Sequence, residues 1–320
     1  MRIRLRLSRK RSEKARNAAR MVILAGCACF WVYCVSRLFL YALDARHAAR
    51  NQASFQELYF TETQKQAEQR ELAQRSSVVR QFTVTFPKTE ISEETPVHTS
   101  APKTADWPGN PAMTVSAALK KLRQMNADMI GWLTIPGMLD QAVVQKNNTY
   151  YLNRDYRGYH NANGALFLEE GISLKTRPDT YIIFGHNMKT GDMFGSLRLY
   201  EDTGYYRKHA LIDFNVLYED GRYVVFSVAD VDTIQGMRRY VPFMQLPGME
   251  AEQRMDCIRR LQAYSKWYSP IAVSAEDQLL LLVTCEGTEE TRRVVAARRL
   301  REGESAEAVQ ACLLNVKSRN

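Results

Sequence analysis

Cysteine is scarce in this chain and arranged for neither of its usual structural tasks. The 320 residues hold six, with no CxxC pair and no Cys/His cluster at zinc spacing, which excludes a thiolate metal site. Cys27, Cys29 and Cys34 fall in an apolar stretch near the N-terminus. Cys257, Cys285 and Cys312 are widely separated, an odd number that forms no disulfide framework and leaves a thiol free in an oxidising compartment. There is no internal repeat. Net positive charge is also missing from most of the chain, although the formal net charge is +9. Residues 1–20 carry nine Lys/Arg against the single Glu13, so that tail accounts for +8 and the other 300 residues for about +1. A basic tail on a near-neutral body argues against a nucleic-acid face.

The segment after the tail explains it. Met21–Leu43 is 23 residues with Arg37 as its only charge, and about 20 apolar residues span a bilayer as a helix. Arg37 lies near the far end, where a long side chain reaches the headgroups. A signal peptide would have a shorter apolar core and a small-residue cleavage site. The length, with Trp31, Tyr33 and Tyr41, favours an uncleaved anchor. Basic residues stay cytoplasmic, so residues 1–20 read as a cytoplasmic tail and everything after 43 as extracellular.

Residues 44–111 are polar and read as a stalk and linker, helical over Gln52–Gln81 and rich in Pro, Ser, Thr and Glu over Lys88–Asn110. Thr114–Ile130 has helical periodicity through Val115, Leu119, Leu122, Met125 and Met129. Short apolar segments then recur between turn residues: 133–135, 141–145, 165–168, 180–184, 210–217 and 222–228. That spacing predicts a barrel or sandwich. A helix over Ala251–Tyr268 interrupts them, with Cys257 on its apolar face, and a last short helix is expected over Glu304–Val316. Asn147–Thr149 matches a glycosylation acceptor, a pattern common by chance.

Two places carry candidate chemistry. In Gln278–Leu300 an apolar strand ends at Thr284–Cys285, seven polar or small residues come next (Glu286–Arg292), and Val294–Val295 resume the apolar pattern. The reading is two strands joined by a polar connection, with Arg292 opening the second. A cation near a cysteine favours the thiolate, although a cysteine closing an apolar strand is ordinarily core filler. The second place is Tyr181–Leu197, where an apolar strand runs into Gly185–His186 and a Gly-punctuated loop. Of the five histidines, His47 and His98 fall in the stalk and linker, His160 in a polar turn, and His209 before a strand. Only His186 has a site-like setting. A Cys–His pair distant in sequence and without metal ligands suits thiol acyl transfer: the thiolate attacks a carbonyl, histidine protonates the leaving amine, and a donor, here Arg292, holds the oxyanion. A non-catalytic anchored barrel with an inert Cys285 is the competing reading.

These residues resemble the sortases, membrane-anchored cysteine transpeptidases of Gram-positive bacteria, whose signature ends TLxTC before the nucleophile and places an arginine on the next strand. This chain has Leu281-Leu282-Val283-Thr284-Cys285 and then Arg292, with Leu281 in place of the first threonine. Ile130–Gln145, Tyr150–Asp155 and Phe184–Leu197 are similar to class B segments, and the match covers roughly 116–300. The resemblance implies a mainly β fold: an eight-stranded barrel with an N-terminal helix and a helix inserted before the cysteine strand, carried by residues 112–303 and followed by a tail, 304–320. It implies Cys285 as nucleophile, His186 as general acid/base and Arg292, in preference to the adjacent Arg293, as oxyanion or substrate donor. The implied partners are a sorting-signal peptide, NPQTN- or (S/P)PxTG-like, and an amine of a peptidoglycan precursor or, in some relatives, a pilin lysine; a thiol hydrolase using water is the alternative. No metal or organic cofactor is implied.

Overall fold

The computed structural model describes residues 2–81, 107, 109–286 and 288–319; the side chains of 2–18, 44, 45, 47–49, 74–81, 285, 286, 288 and 289 lie outside that description. The linker read over 88–110 falls outside it except for Trp107, Gly109 and Asn110. The chain forms two compact units, Met1–Arg50 and Asn51–Asn320. Helix α1 (Arg2–Gln81) supplies the first with its residues up to Arg50, and its remainder belongs to the second. Its segment Ala19–Leu43 has a mean hydropathy of 1.9 and is long and apolar enough to cross a membrane.

The second unit is a closed barrel. In chain order its elements are α2 (Ala117–Met125), β1 (Met129–Ile135), β2 (Leu139–Val144), β3 (Leu166–Leu168), β4 (Thr180–Phe184), α3 (Thr203–His209), β5 (Leu211–Val216), β6 (Arg222–Asp232), α4 (Ala251–Ala263), β7 (Trp267–Tyr268), β8 (Leu279–Glu286), β9 (Thr288–Arg299), α5 (Ala306–Leu313) and β10 (Lys317–Ser318). Eight strands close in the order β1-β2-β3-β4-β8-β9-β6-β5, while β7 and β10 pair separately. The expected eight-stranded barrel with a helix inserted before the cysteine strand is what the chain forms.

The core explains the strand sequences. Leu279–Val283 are fully buried, as a strand with one face inside the barrel and the other covered must be. Each such aliphatic side chain contributes roughly 1.5–3 kcal/mol of transfer free energy. β1 is also buried on both faces, because Ile130, Leu133 and Ile135 join the interior cluster while Met129 and Trp132 join an outer one with Phe55 and Tyr59 of α1. Tyr59 stacks on Trp132 at 4.3 Å and 7°, and Gln52 and Gln56 both donate to the Asp140 carbonyl. The polar stretch read as a stalk therefore adds two large aromatics to the core of this unit.

Three boundaries differ from the sequence reading. The helix expected to reach Ile130 stops at Met125, since Asn126 is extended (φ −150°, ψ 116°) and its side chain bonds Tyr151, the Tyr156 carbonyl and the Asp128 amide. Met129 keeps the helical spacing by coincidence and pairs with Val144. The helix expected to reach Tyr268 ends at Ala263, leaving Trp267–Tyr268 to pair with β10. Arg292 does not open the second strand: β9 begins at Thr288, so most of the polar run Glu286–Arg292 is ladder. Backbone pairing needs no apolar side chain where a hairpin overhangs the core, and β6 supports it on the other side through Asp232↔Thr291 and Val231↔Arg292.

Candidate active site

Strand topology brings the singled-out residues to one rim. β4 and β8 run parallel in register from Thr180↔Leu279 to Phe184↔Val283, so the residues just past each strand emerge at the same end. His186 lies two residues past Phe184 and Cys285 two past Val283. The Gly185 amide continues the pairing by donating to the Val283 carbonyl at 3.2 Å. Glycine is required there, because a Cβ would stand 2.5 Å from Leu166 Cδ2 and 2.8 Å from Phe194 Cδ2.

β9 returns antiparallel beside β8 and sets Cys285 opposite Arg292 and Thr284 opposite Arg293. Neighbours along a strand face opposite ways, and the two arginines have opposite surroundings. Arg293 is 1 % exposed. It grips Asp230 with both arms of its fork, at 2.8 and 3.1 Å, and reaches Glu201 at 2.5 Å; Lys266 completes the cluster at 2.6 Å from Asp230. Burial pushes the Asp230 carboxyl up, but the hydrogen bonds from Arg293 and Lys266 outweigh it and hold the group below the usual carboxylate range. Arg292 is half-buried and lines a cleft with His186. The ladder assigns Arg293 to a buried ion cluster and leaves Arg292 at the cleft.

The cleft has a volume of about 400 Å³ and an apolar wall of Leu152, Phe167, Phe184, Phe243, Met244 and Val283. Phe167 and Phe184 lie against each other at 5.4 Å. Its polar groups are His186, Arg292, Asn148, Thr233 and Thr284. An apolar groove with a few convergent polar groups is the ordinary form of a binding site. His186 Nε2 lies 2.6 Å from the Leu152 carbonyl. A roomier hollow, about 540 Å³, sits by the β5–β6 hairpin among Arg70, Ser116, Asp220 and Arg299; it contains neither histidine nor cysteine, whereas the smaller cleft holds His186 beside Arg292. Among the described residues no group of three or more His, Cys, Asp or Glu is placed to hold a metal.

Reading of the sequence missed the walls of the cleft. Leu152 and Asn148 come from the turn before and within Tyr150–Asn153, and Thr233, Phe243 and Met244 from the segment between β6 and α4. Apolar residues inside turn segments were the available signal, and in the structure Leu152 is 40 % and Met244 42 % exposed. Cys257 and His209 have structural settings. Cys257 is buried in α4, where desolvation pushes its thiol up to about 12. His209 Nδ1 donates to the Pro136 carbonyl at 2.8 Å and its ring lies against Tyr205.

No family model matches the chain. Individual relatives do. The chain is 29 % identical to sortase B of Listeria monocytogenes over 170 residues, spanning 52 % of this chain and 67 % of the relative. It is 28 % identical to sortase B of Staphylococcus aureus over 190 residues, 58 % and 75 %. The chain is similar to class B sortases. Solved structures agree with the sequence relatives. Sortase B of Bacillus anthracis in complex with AAEK1 is similar at TM-score 0.52 and 27 % identity, covering 59 % of this chain and 86 % of that one. A sortase B–substrate complex from Staphylococcus aureus matches at TM-score 0.52 and 26 % identity, covering 59 % and 88 %. The homology indicates a sortase-type cysteine transpeptidase.

Proposed function

We propose that this protein cleaves a C-terminal sorting signal after threonine and transfers the shortened protein to an amine acceptor of the cell wall. The observation that carries the reading is the shared rim: the cysteine position paired with Arg292 across one ladder, and His186 beyond the strand parallel to it. In the proposed reaction the Cys285 thiolate adds to the threonine carbonyl, and the oxyanion takes hydrogen bonds from Arg292. The C–N bond breaks as His186 protonates the departing amine, leaving a thioacyl enzyme. An acceptor amine, deprotonated by His186, then adds to the thioester and expels the thiolate. The apolar wall of the cleft suits a largely uncharged peptide such as an NPQTN- or (S/P)PxTG-like signal. In this reading residues 112–303 are the catalytic domain, 21–43 anchor it with residues 1–20 in the cytoplasm, and 44–111 join the two.

The test uses the full chain in detergent micelles, incubated with sorting-signal peptides with and without an amine acceptor and followed by mass spectrometry. A thioacyl adduct on Cys285 and an amine-linked product are expected. Release of free acid with acceptor present would mark a thiol hydrolase. A chain that forms no adduct with any peptide and alkylates no faster at Cys285 than at Cys257 would be a non-catalytic barrel.

A further inference from the structure

Three successive carbonyls in the turn Tyr150–Asn153 each accept a hydrogen bond, two from the segment Asn161–Ala165 and one from His186. The Tyr151 carbonyl accepts from the Ala165 amide at 3.0 Å and the Asn153 carbonyl from the Asn161 amide at 2.9 Å. Between them the Leu152 carbonyl faces His186 Nε2 at 2.6 Å. The segment that clamps the turn, Asn161–Ala165, is itself braced: the Asn163 amide donates to Asn161 Oδ1 at 2.8 Å, the Gly164 amide to the Asn161 carbonyl at 3.1 Å, and both asparagines are buried. Gly164 has φ +63°, and a Cβ there would stand 2.6 Å from the Tyr151 oxygen, 2.7 Å from the Leu152 oxygen and 3.1 Å from His186 Cδ2. Two of those three atoms are rigid backbone and the third is the imidazole. Any side chain at 164 must therefore displace the histidine or the carbonyl it meets.

A carbonyl oxygen only accepts, so the proton of a neutral His186 sits on Nε2. We infer that Gly164 is a positioning residue for His186: it permits the close approach that fixes the Nε2–H tautomer on the Leu152 carbonyl and leaves Nδ1 as the atom that exchanges protons at the cleft. The inference rests on the reading of His186 as acid and base. Nε2–H is present in imidazole and imidazolium alike, so the contact persists when Nδ1 takes up a proton, and it becomes charge-assisted. The ring is held by one atom and works with the other. Leu152 meanwhile presents its side chain to the cleft, so a single residue both lines the groove and orients the imidazole.

The experiment is long-range 1H–15N spectroscopy of the full chain in micelles, labelled at histidine, with His186→Gln used to assign the signals. His186 is expected as the Nε2–H tautomer with a proton that exchanges slowly enough to be observed, unlike that of the exposed His160. Gly164→Ala is expected to abolish that signal while leaving the Nδ1–H signal of His209 intact, which reports a preserved barrel. It should lower kcat about tenfold or more with KM changed less than about twofold. Gly164→Asn, which tolerates positive φ but adds the same Cβ, is expected to behave alike. His186 in the Nδ1–H form, a ring proton exchanging as fast as that of His160, or a Gly164→Ala variant with signal and kcat unchanged would overturn the inference. The spectra decide this whether or not a peptide is turned over, so the positioning role and the transpeptidase reading fail separately.

Discussion

Cys285 and Arg292 stand directly opposite one another in the β8–β9 ladder, one step along from the pair Thr284 and Arg293. That one-residue difference divides two chemically identical side chains between the cleft and the buried ion cluster.

Arg292→Lys is expected to reduce kcat/KM about 10²–10³-fold with little change in thermal stability, because a point charge does not replace a planar fork at a developing oxyanion. Arg293→Lys should do the reverse, lowering stability by roughly 1–3 kcal/mol through lost arms to Asp230 and Glu201. Kinetics and thermal melts on the pair check this; a larger kinetic loss in Arg293→Lys would put the cleft on the other face of β9.

Cys285→Ala should abolish turnover, a loss of roughly 10³-fold or more, and His186→Ala should cost about 10²–10⁴-fold. Both variants should melt as the parent does, since His186 is only half-buried and a thiol is a small group to lose at the end of a strand. Peptide turnover followed by mass spectrometry is the measurement; a His186→Ala rate near that of the parent would mean another group moves the proton.

Acid should expose the Asp230 cluster. Asp230 titrates below its ordinary value of 3.8 in the folded chain, so its contribution is fully present above that value and is lost as pH falls through the lower, folded value. Asp230→Asn is expected to destabilise the protein at neutral pH by about 3–5 kcal/mol, leaving Arg293 buried with one partner fewer. It should also flatten the dependence of stability on pH below about 4. Denaturant melts from neutral pH down to about pH 2 test both; an unchanged acid slope would show that other carboxylates control it.

Cys257 should resist alkylation at pH 8 in the folded protein, since its thiol is buried and pushed up to about 12, whereas the exposed Cys312 should react readily. Peptide mapping after a timed iodoacetamide pulse distinguishes them. Rapid labelling of Cys257 would mean that α4 opens away from β6.

Much of this was legible because apolar strands advertise themselves: Tyr181–Phe184 and Leu279–Val283 are unbroken apolar runs, and each is followed two residues later by a candidate reacting residue. In the sequence only the family pattern favours Arg292 over Arg293, whereas the ladder sets Arg292 opposite Cys285 and buries Arg293. Other features left no local trace. Polar Thr288–Thr291 look like a loop because their pairing is backbone pairing, and Met129 mimics a helical position while belonging to a strand. Phe55 and Tyr59 sit in polar surroundings in the sequence, and only the outer face of β1 makes core residues of them. Gly164 carried no signal at all, since what it spares is a contact between two segments distant from it.

The parallel pairing of β4 with β8 separates framework from walls. The histidine and cysteine positions hang from strands hydrogen-bonded through five consecutive residues, whereas Leu152, Thr233, Phe243 and Met244 come from connections whose length and composition the barrel does not dictate. On the proposed reading, a homologue's 233–244 segment could be transplanted here with the His186 and Cys285 positions left in register, so peptide preference can drift between relatives faster than the chemistry they share.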